Sequence, residues 1–230
     1  MQQALCAGLD EASKLLSEAQ GQNGLEFWHE KVPSGLNQTA LFSYRNLLLA
    51  CRQEGISAAA WATRNLLETR IWTEYVTASK DNARRFYLDW LNDARELLDK
   101  AHSYDGSINL EEWRITSPYA DLDFGETTAE TARDWLGELR NSSALVDEDY
   151  IRVGTIAKEL GHAAKFASLN RMLSKFVHPT AFSVLSMPSD RARHNTVTFI
   201  LVEGSTACAR CLTFLNDFLK QKNVEEFFSH

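Results

Sequence analysis

Apolar residues recur at helical spacing from about Gln3 to Ala19, and the polar run Gln20-Gly21-Gln22-Asn23-Gly24 closes that segment. After a loop containing Pro33, Ser34 and Gly35, a second helix is expected from Asn37 as N-cap to Gly55 as C-cap, with Leu41, Leu48 and Ala50 along it. A third runs from Ser57 to Ser79. Asp81 stands where an N-cap belongs, and Phe86, Leu88, Trp90, Leu91, Leu97 and Leu98 carry a fourth helix toward His102.

From Gly106 to Gly125 the pattern is irregular, with Pro118, several acids and the aromatics Trp113, Tyr119 and Phe124, and it is read as a packed crossover or a structured lid. Thr127 or Thr128 can cap a shorter helix through Trp135 and Leu139. A long helix follows from about Ile151 until Pro179 stops it, and a loop with Pro188 leads to a last, strongly apolar helix. The expectation is an all-α bundle of about six or seven helices in a single domain over residues 1–230. Its deepest core would be formed by the third, the long and the C-terminal helices.

Composition supports the helical reading, because only 4 prolines and 11 glycines punctuate 230 residues. The net charge of -7 and pI near 5.4 disfavour polyphosphate and anionic membrane surfaces, so contact with nucleic acid needs a local basic patch. One exists. Residues 81–149 hold 17 acids against 7 Lys or Arg, whereas residues 160–195 hold Lys165, Arg171, Lys175, Arg191 and Arg193 against Asp190 alone. That basic part could complement the acidic one, make a dimer contact or bind an anion.

The start of the chain lacks the basic and apolar regions of a signal peptide, and Glu203 and Arg210 interrupt the apolar run from Val197 to Leu219. A cytoplasmic protein with no membrane role is expected, the apolar run being a buried helix. Cys208-Ala209-Arg210-Cys211 is a C-x-x-C, but Val197, Gly204, Cys208, Cys211, Leu215 and Phe218 share one helical face. The sulfurs are therefore read as buried small hydrophobes, with no metal and no cofactor.

Two polar constellations stand out. On the third helix, Trp61, Arg64, Asn65, Glu68, Trp72 and Tyr75 share a face, Arg64 and Glu68 can pair at i,i+4, and the two tryptophans would bracket the pair and exclude water. On the long helix, Phe166, Leu169, Leu173, Phe176 and Val177 form a core stripe, and Arg171, Ser174 and His178 form another. Ala164 and Ala167 extend the second stripe with small side chains, leaving room for a neighbouring helix. His178 lies just before Pro179, where the helix dipole favours an imidazolium.

The runs Arg64-Asn65-Leu66-Leu67-Glu68 and Leu173-Ser174-Lys175-Phe176-Val177-His178-Pro179 resemble those of a widespread family of helical bacterial proteins, a domain of unknown function. The resemblance spans about residues 40–219. More remotely, the arrangement is similar to HEPN domains, helical bundles that often dimerise and cut RNA without a metal. Their signature is an arginine followed four to six residues later by a histidine, and six residues separate Arg171 from His178. Glu68 corresponds to an acid that some members place on an earlier helix, while Met172 departs from the polar residue that many of the nucleases carry there.

The HEPN resemblance implies an RNA-binding or RNA-cleaving protein of toxin or defence type. It would work as a homodimer, with Arg171 holding a phosphate, His178 moving protons, and Lys175, Arg191 and Arg193 adding positive charge. DNA is not an expected partner. A non-catalytic interaction module remains open, with Arg64, Glu68, Ser174 and His178 as one buried network. So does a small-molecule pocket walled by the tryptophans. An exposed Arg171 and His178 in an open cleft favour the enzyme, and a sealed pair favours the network.

Overall fold

The computed structural model describes residues 2–20, 28–86, 89, 93, 151–178 and 189–228, with side chains for all of these except 17–20, 28–31 and 222–228. The expected helix beyond residue 93, the 106–125 crossover, the helix from Thr127 and the Pro188 loop lie outside the described residues. Two compact units divide the chain, residues 1–84 with 152–230, and residues 85–151. In the second, Asp89 Oδ1 accepts the Ile151 N–H at 3.4 Å.

The fold is all-α, and among the described residues there is no strand. The first unit holds α1 (Gln2–Gln20), α2 (Trp28–Arg52), α3 (Ile56–Ala78), α4 (Val153–Glu159), α5 (Ala163–Val177) and α6 (Asp190–Phe228). A further helical stretch covers residues 80–86, and its cap is Ser79, whose Oγ accepts the Asn82 N–H at 3.1 Å. Asp81, expected to cap it, lies two residues inside.

Three other expectations change. Helix α2 begins nine residues before Asn37 and carries Pro33 within it. Pro33 gives up one backbone hydrogen bond, yet the helix runs on through it because Val32, Leu36 and Ala40 bury one continuous stripe. Asn37 is therefore mid-helix, fully buried, and its Nδ2 donates to Leu9 O at 2.9 Å and Ser13 Oγ at 2.7 Å on α1. At the other end of α2 the left-handed residue is Glu54 (φ 52), with the Gly55 N–H returning to Ala50 O at 2.9 Å; Gly55 itself has φ -79.

The third change matters most. The long helix expected from Ile151 is broken by Leu160, Gly161 and His162 into α4 and α5. Gly161 takes φ 76, and the Gly161 and His162 N–H groups close onto Lys158 O and Ala157 O. His162 becomes the residue preceding α5 rather than one more position on a continuous helix.

Helix α3 is the centre of this unit, buried on most sides by Ala59, Ala60, Ala62, Leu66, Leu67, Ile71 and Val76. It tolerates Thr69 and Thr73 among these apolar residues, because each hydroxyl donates to the carbonyl four residues back, Asn65 O and Thr69 O, both at 2.7 Å. Thr63 Oγ1 donates instead to Ile200 O at 3.2 Å, and Thr73 lies beside Cys211. Ten residues on α3 thus match eleven on α6, so the two helices run parallel.

Close packing of α6 depends on Gly204, where a Cβ would stand 2.7 Å from Thr63 Oγ1 and would also strike Leu47 of α2. Val197, Gly204, Cys208, Cys211, Leu215 and Phe218 are all buried, as their shared face predicts. Tyr44 of α2 is fully buried beside them, its hydroxyl 3.3 Å from Ser205 Oγ. The deepest core is therefore α2, α3 and α6. From α5 come Phe166, Leu169 and Leu173, while Phe176 and Val177 are only half-buried. Over Asp190–Gln221, α6 is long and apolar enough to cross a membrane by length and composition, yet 39% of its apolar window is buried against this unit.

Candidate functional site

Helix α5 carries no Asp or Glu. Its core stripe faces inward, and Ala164, Ala167, Ser168, Arg171, Met172 and Lys175 line an open depression of about 610 Å³ on its outer side. Arg171 and Lys175 are exposed, one turn apart on that wall. Among the described residues no carboxylate pairs with Arg171. Lys165, the third cation of the helix, is engaged by Glu203 of α6 at 3.4 Å.

His178 ends α5 as its C-cap, in extended conformation (φ -96, ψ 149), and is exposed. Its N–H closes onto Ser174 O at 3.2 Å. Ser174 Oγ donates to Asn170 O at 2.9 Å, within its own helix. Arg191 and Arg193 are exposed on the first turn of α6, which Ser189 caps by accepting the Ala192 N–H at 3.3 Å.

Arg64 and Glu68 pair as expected, Nε to Oε1 at 3.3 Å, with side chains 31% and 32% exposed. Trp61 is 43% exposed, so it does not seal the pair from water. Trp72 meets Tyr75 edge-on at 6.2 Å. Among the described residues, the bonds of Arg64, Glu68 and Ser174 all stay within their own helices. The structure thus brings Arg171 and Lys175 together at one depression and leaves the Arg64–Glu68 pair as a separate half-buried feature.

A cluster that the sequence reading passed over lies two turns further along α3. His162 Nε2 is 3.0 Å from Glu74 Oε1, 2.9 Å from Glu74 Oε2 and 3.1 Å from Arg70 Nη2. Arg70 Nη2 stands 3.7 Å from Glu74 Oε2, and the three side chains are only 17%, 21% and 29% exposed for Arg70, Glu74 and His162. Arg70 and Glu74 at i,i+4 could have been picked out like Arg64 and Glu68. Their third member could not, because His162 reaches them only through the Gly161 break.

Behind this cluster, burial pushes the Cys211 thiol up to about 12, against the weaker opposing pull of the Thr73 hydrogen bond and the Arg70 charge. Burial also raises Cys208. All four cysteines are free thiols, and among the described residues no group of three His, Cys, Asp or Glu is placed to hold a metal.

No family model, curated protein or solved structure matches this chain.

Proposed function

We propose that the chain binds RNA through the outer face of α5 and cleaves it without a metal, as a HEPN-like protein of toxin or defence type working in the cytoplasm as a homodimer. One observation carries this reading: Arg171, Lys175 and His178 are all exposed on a helix that has no carboxylate. A local cationic surface on an otherwise acidic chain is what phosphate contact requires.

In the reaction, a ribose 2′-hydroxyl gives its proton to His178 and its oxygen attacks the adjacent phosphorus. The bond from phosphorus to the 5′-oxygen breaks, and that oxygen leaves with the proton returned by the His178 imidazolium, so the histidine ends neutral. The products are a 2′,3′-cyclic phosphate and a 5′-hydroxyl. Arg171 holds the phosphate and steadies the charge that grows on its oxygens, while Lys175 extends the contact along the backbone.

The test is EDTA-resistant cleavage of a mixed RNA pool by wild type, Arg171→Ala and His178→Ala, with thermal melting on the same preparations. Cleavage by wild type alone, with all three melting together, supports the proposal. Wild type inert toward RNA ends it. A rival reading is an interaction surface; it rests not on a buried network of Arg64, Glu68, Ser174 and His178, since His178 is exposed, but on the small residues Ala164, Ala167 and Ser168 along the same depression, which would let a partner helix approach closely. It forecasts that inert outcome.

A further inference from the structure

The cluster between α3 and the start of α5 plays no part in that proposal, and its hydrogen bonding does not balance. His162 Nε2 lies within hydrogen-bonding distance of both oxygens of Glu74 and of Arg70 Nη2. One ring nitrogen cannot donate to the carboxylate and accept from the guanidinium at once. A lone pair aimed at two carboxylate oxygens from 2.9 and 3.0 Å is repulsive, so Nε2 carries the hydrogen and donates to Glu74.

Two consequences follow for the neighbours. Arg70 Nη2 then faces an N–H and makes no hydrogen bond to the ring, and at 3.7 Å its contact with Glu74 is an ion pair rather than a hydrogen bond. Arg70 Nε is buried without a hydrogen-bond partner among the described residues. A guanidinium whose side chain is only 17% exposed is left short of acceptors, a costly arrangement for a charged donor. Meanwhile the second ring nitrogen, Nδ1, makes no hydrogen bond to any described residue, and His162 is 29% exposed.

We propose that Arg70 and His162 form an oxyanion site that takes up a proton with its ligand. Arg70 supplies the fixed positive charge and the spare N–H groups. Glu74 holds Nε2–H and keeps Nδ1 turned to the ligand. With a neutral imidazole the three side chains sum to zero charge, and with Nδ1 protonated they sum to +1, which matches a bound monoanion. From α6, Cys211 lies near Arg70 with its thiol kept neutral by burial near physiological pH, and Glu203 is paired with Lys165, three residues beyond His162, at 3.4 Å. The ligand class is a phosphate or carboxylate monoanion, free or part of a larger molecule. Nδ1 can return its proton to an oxygen of that ligand.

Imidazole ¹H–¹⁵N spectra of the full ¹⁵N-labelled chain test this directly. In the free protein, His162 Nε2 should fall in the protonated range and Nδ1 in the lone-pair range. Titrating inorganic phosphate, and acetate in a second series, should move Nδ1 toward the protonated range saturably, while sodium chloride at equal ionic strength should not. Saturation by phosphate alone points to phosphorylated ligands, and by acetate to carboxylates. Arg70→Gln should weaken the response roughly tenfold or more, the cost of a charged hydrogen bond, with the Nε2–H tautomer kept. If Arg70→Gln does not fold, Arg70→Lys, which keeps the charge and loses the fork, should weaken it instead. A free protein with the hydrogen on Nδ1, or a phosphate and acetate response no greater than that of chloride, overturns the proposal.

Discussion

Replacing Asn37 by Asp separates two accounts of one residue. At a helix N-cap the two residues are interchangeable within a few tenths of a kcal/mol, because each offers a side-chain oxygen to the N–H groups of the first turn. At a buried position where Nδ2 donates to Leu9 O at 2.9 Å and to Ser13 Oγ at 2.7 Å, they are opposites. An aspartate has no donor to give, and its charge would face a carbonyl oxygen in a site with no exposure.

The cheapest escape is protonation. Holding a carboxyl of ordinary pKa near 3.9 neutral at pH 7 costs about 4 kcal/mol, and one of the two donor bonds, worth about 1 kcal/mol, is still lost. Local relaxation will reduce that total, so we expect a loss of about 3 kcal/mol or more, roughly a 6–12 °C fall in Tm for a chain of this size. The sign of the pH dependence follows. The folded-state pKa of the new carboxyl is raised above its unfolded value, so the penalty grows as pH rises from the unfolded pKa toward the folded one. Thermal melts of wild type and Asn37→Asp at pH 6 and pH 8 should show a larger gap at pH 8. A gap below about 0.5 kcal/mol at both would refute the buried tie and restore the cap.

Glu68→Ala should cost about 1 kcal/mol or less, less still in high salt, because the pair with Arg64 is about one-third exposed; a loss above about 2 kcal/mol in a denaturant melt would mean a sealed pair. Cys208 and Cys211 should resist a thiol reagent at neutral pH in the native protein and react at once in denaturant, since burial holds both thiols protonated; stoichiometric fast labelling of either in the fold contradicts this. Gly161→Ala should destabilise by roughly 1–2 kcal/mol, although nothing lies within 4 Å of the added methyl, because φ 76 strains an L residue. Gly154→Ala, equally open but helical in α4, should be neutral or stabilise by up to about 1 kcal/mol, and equal effects at the two sites in thermal melts would discount the backbone argument.

The all-α class, the ends of α3 and the buried face of α6 were legible without coordinates. Each rests on a local property: helical periodicity, a scarcity of glycine and proline, and the shared face of Val197, Gly204, Cys208, Cys211, Leu215 and Phe218. The i,i+4 partnership of Arg64 and Glu68 was legible for the same reason, since a helix alone brings them within reach.

Burial and the pairing of distant segments were not local properties. Whether Trp61 covers the ion pair depends on what packs over α3, and it stands 43% exposed. Asn37 looks like a cap to anyone reading the Pro33-Ser34-Gly35 run before it, and only the approach of α1 turns its amide into a cross-helix tie. Thr69 and Thr73 look polar until their hydroxyls are seen bonded to their own helix. Gly161 could be noted in the sequence, but a single glycine in a helical pattern does not say whether the helix bends, breaks or runs on. Tertiary structure decided that it breaks, and so placed His162 against Arg70 and Glu74, side chains 92 and 88 residues away in the chain. Sequence patterning specifies each helix through contacts a few residues long, whereas a polar cluster assembled from two helices exists only once their packing has set the distance between them.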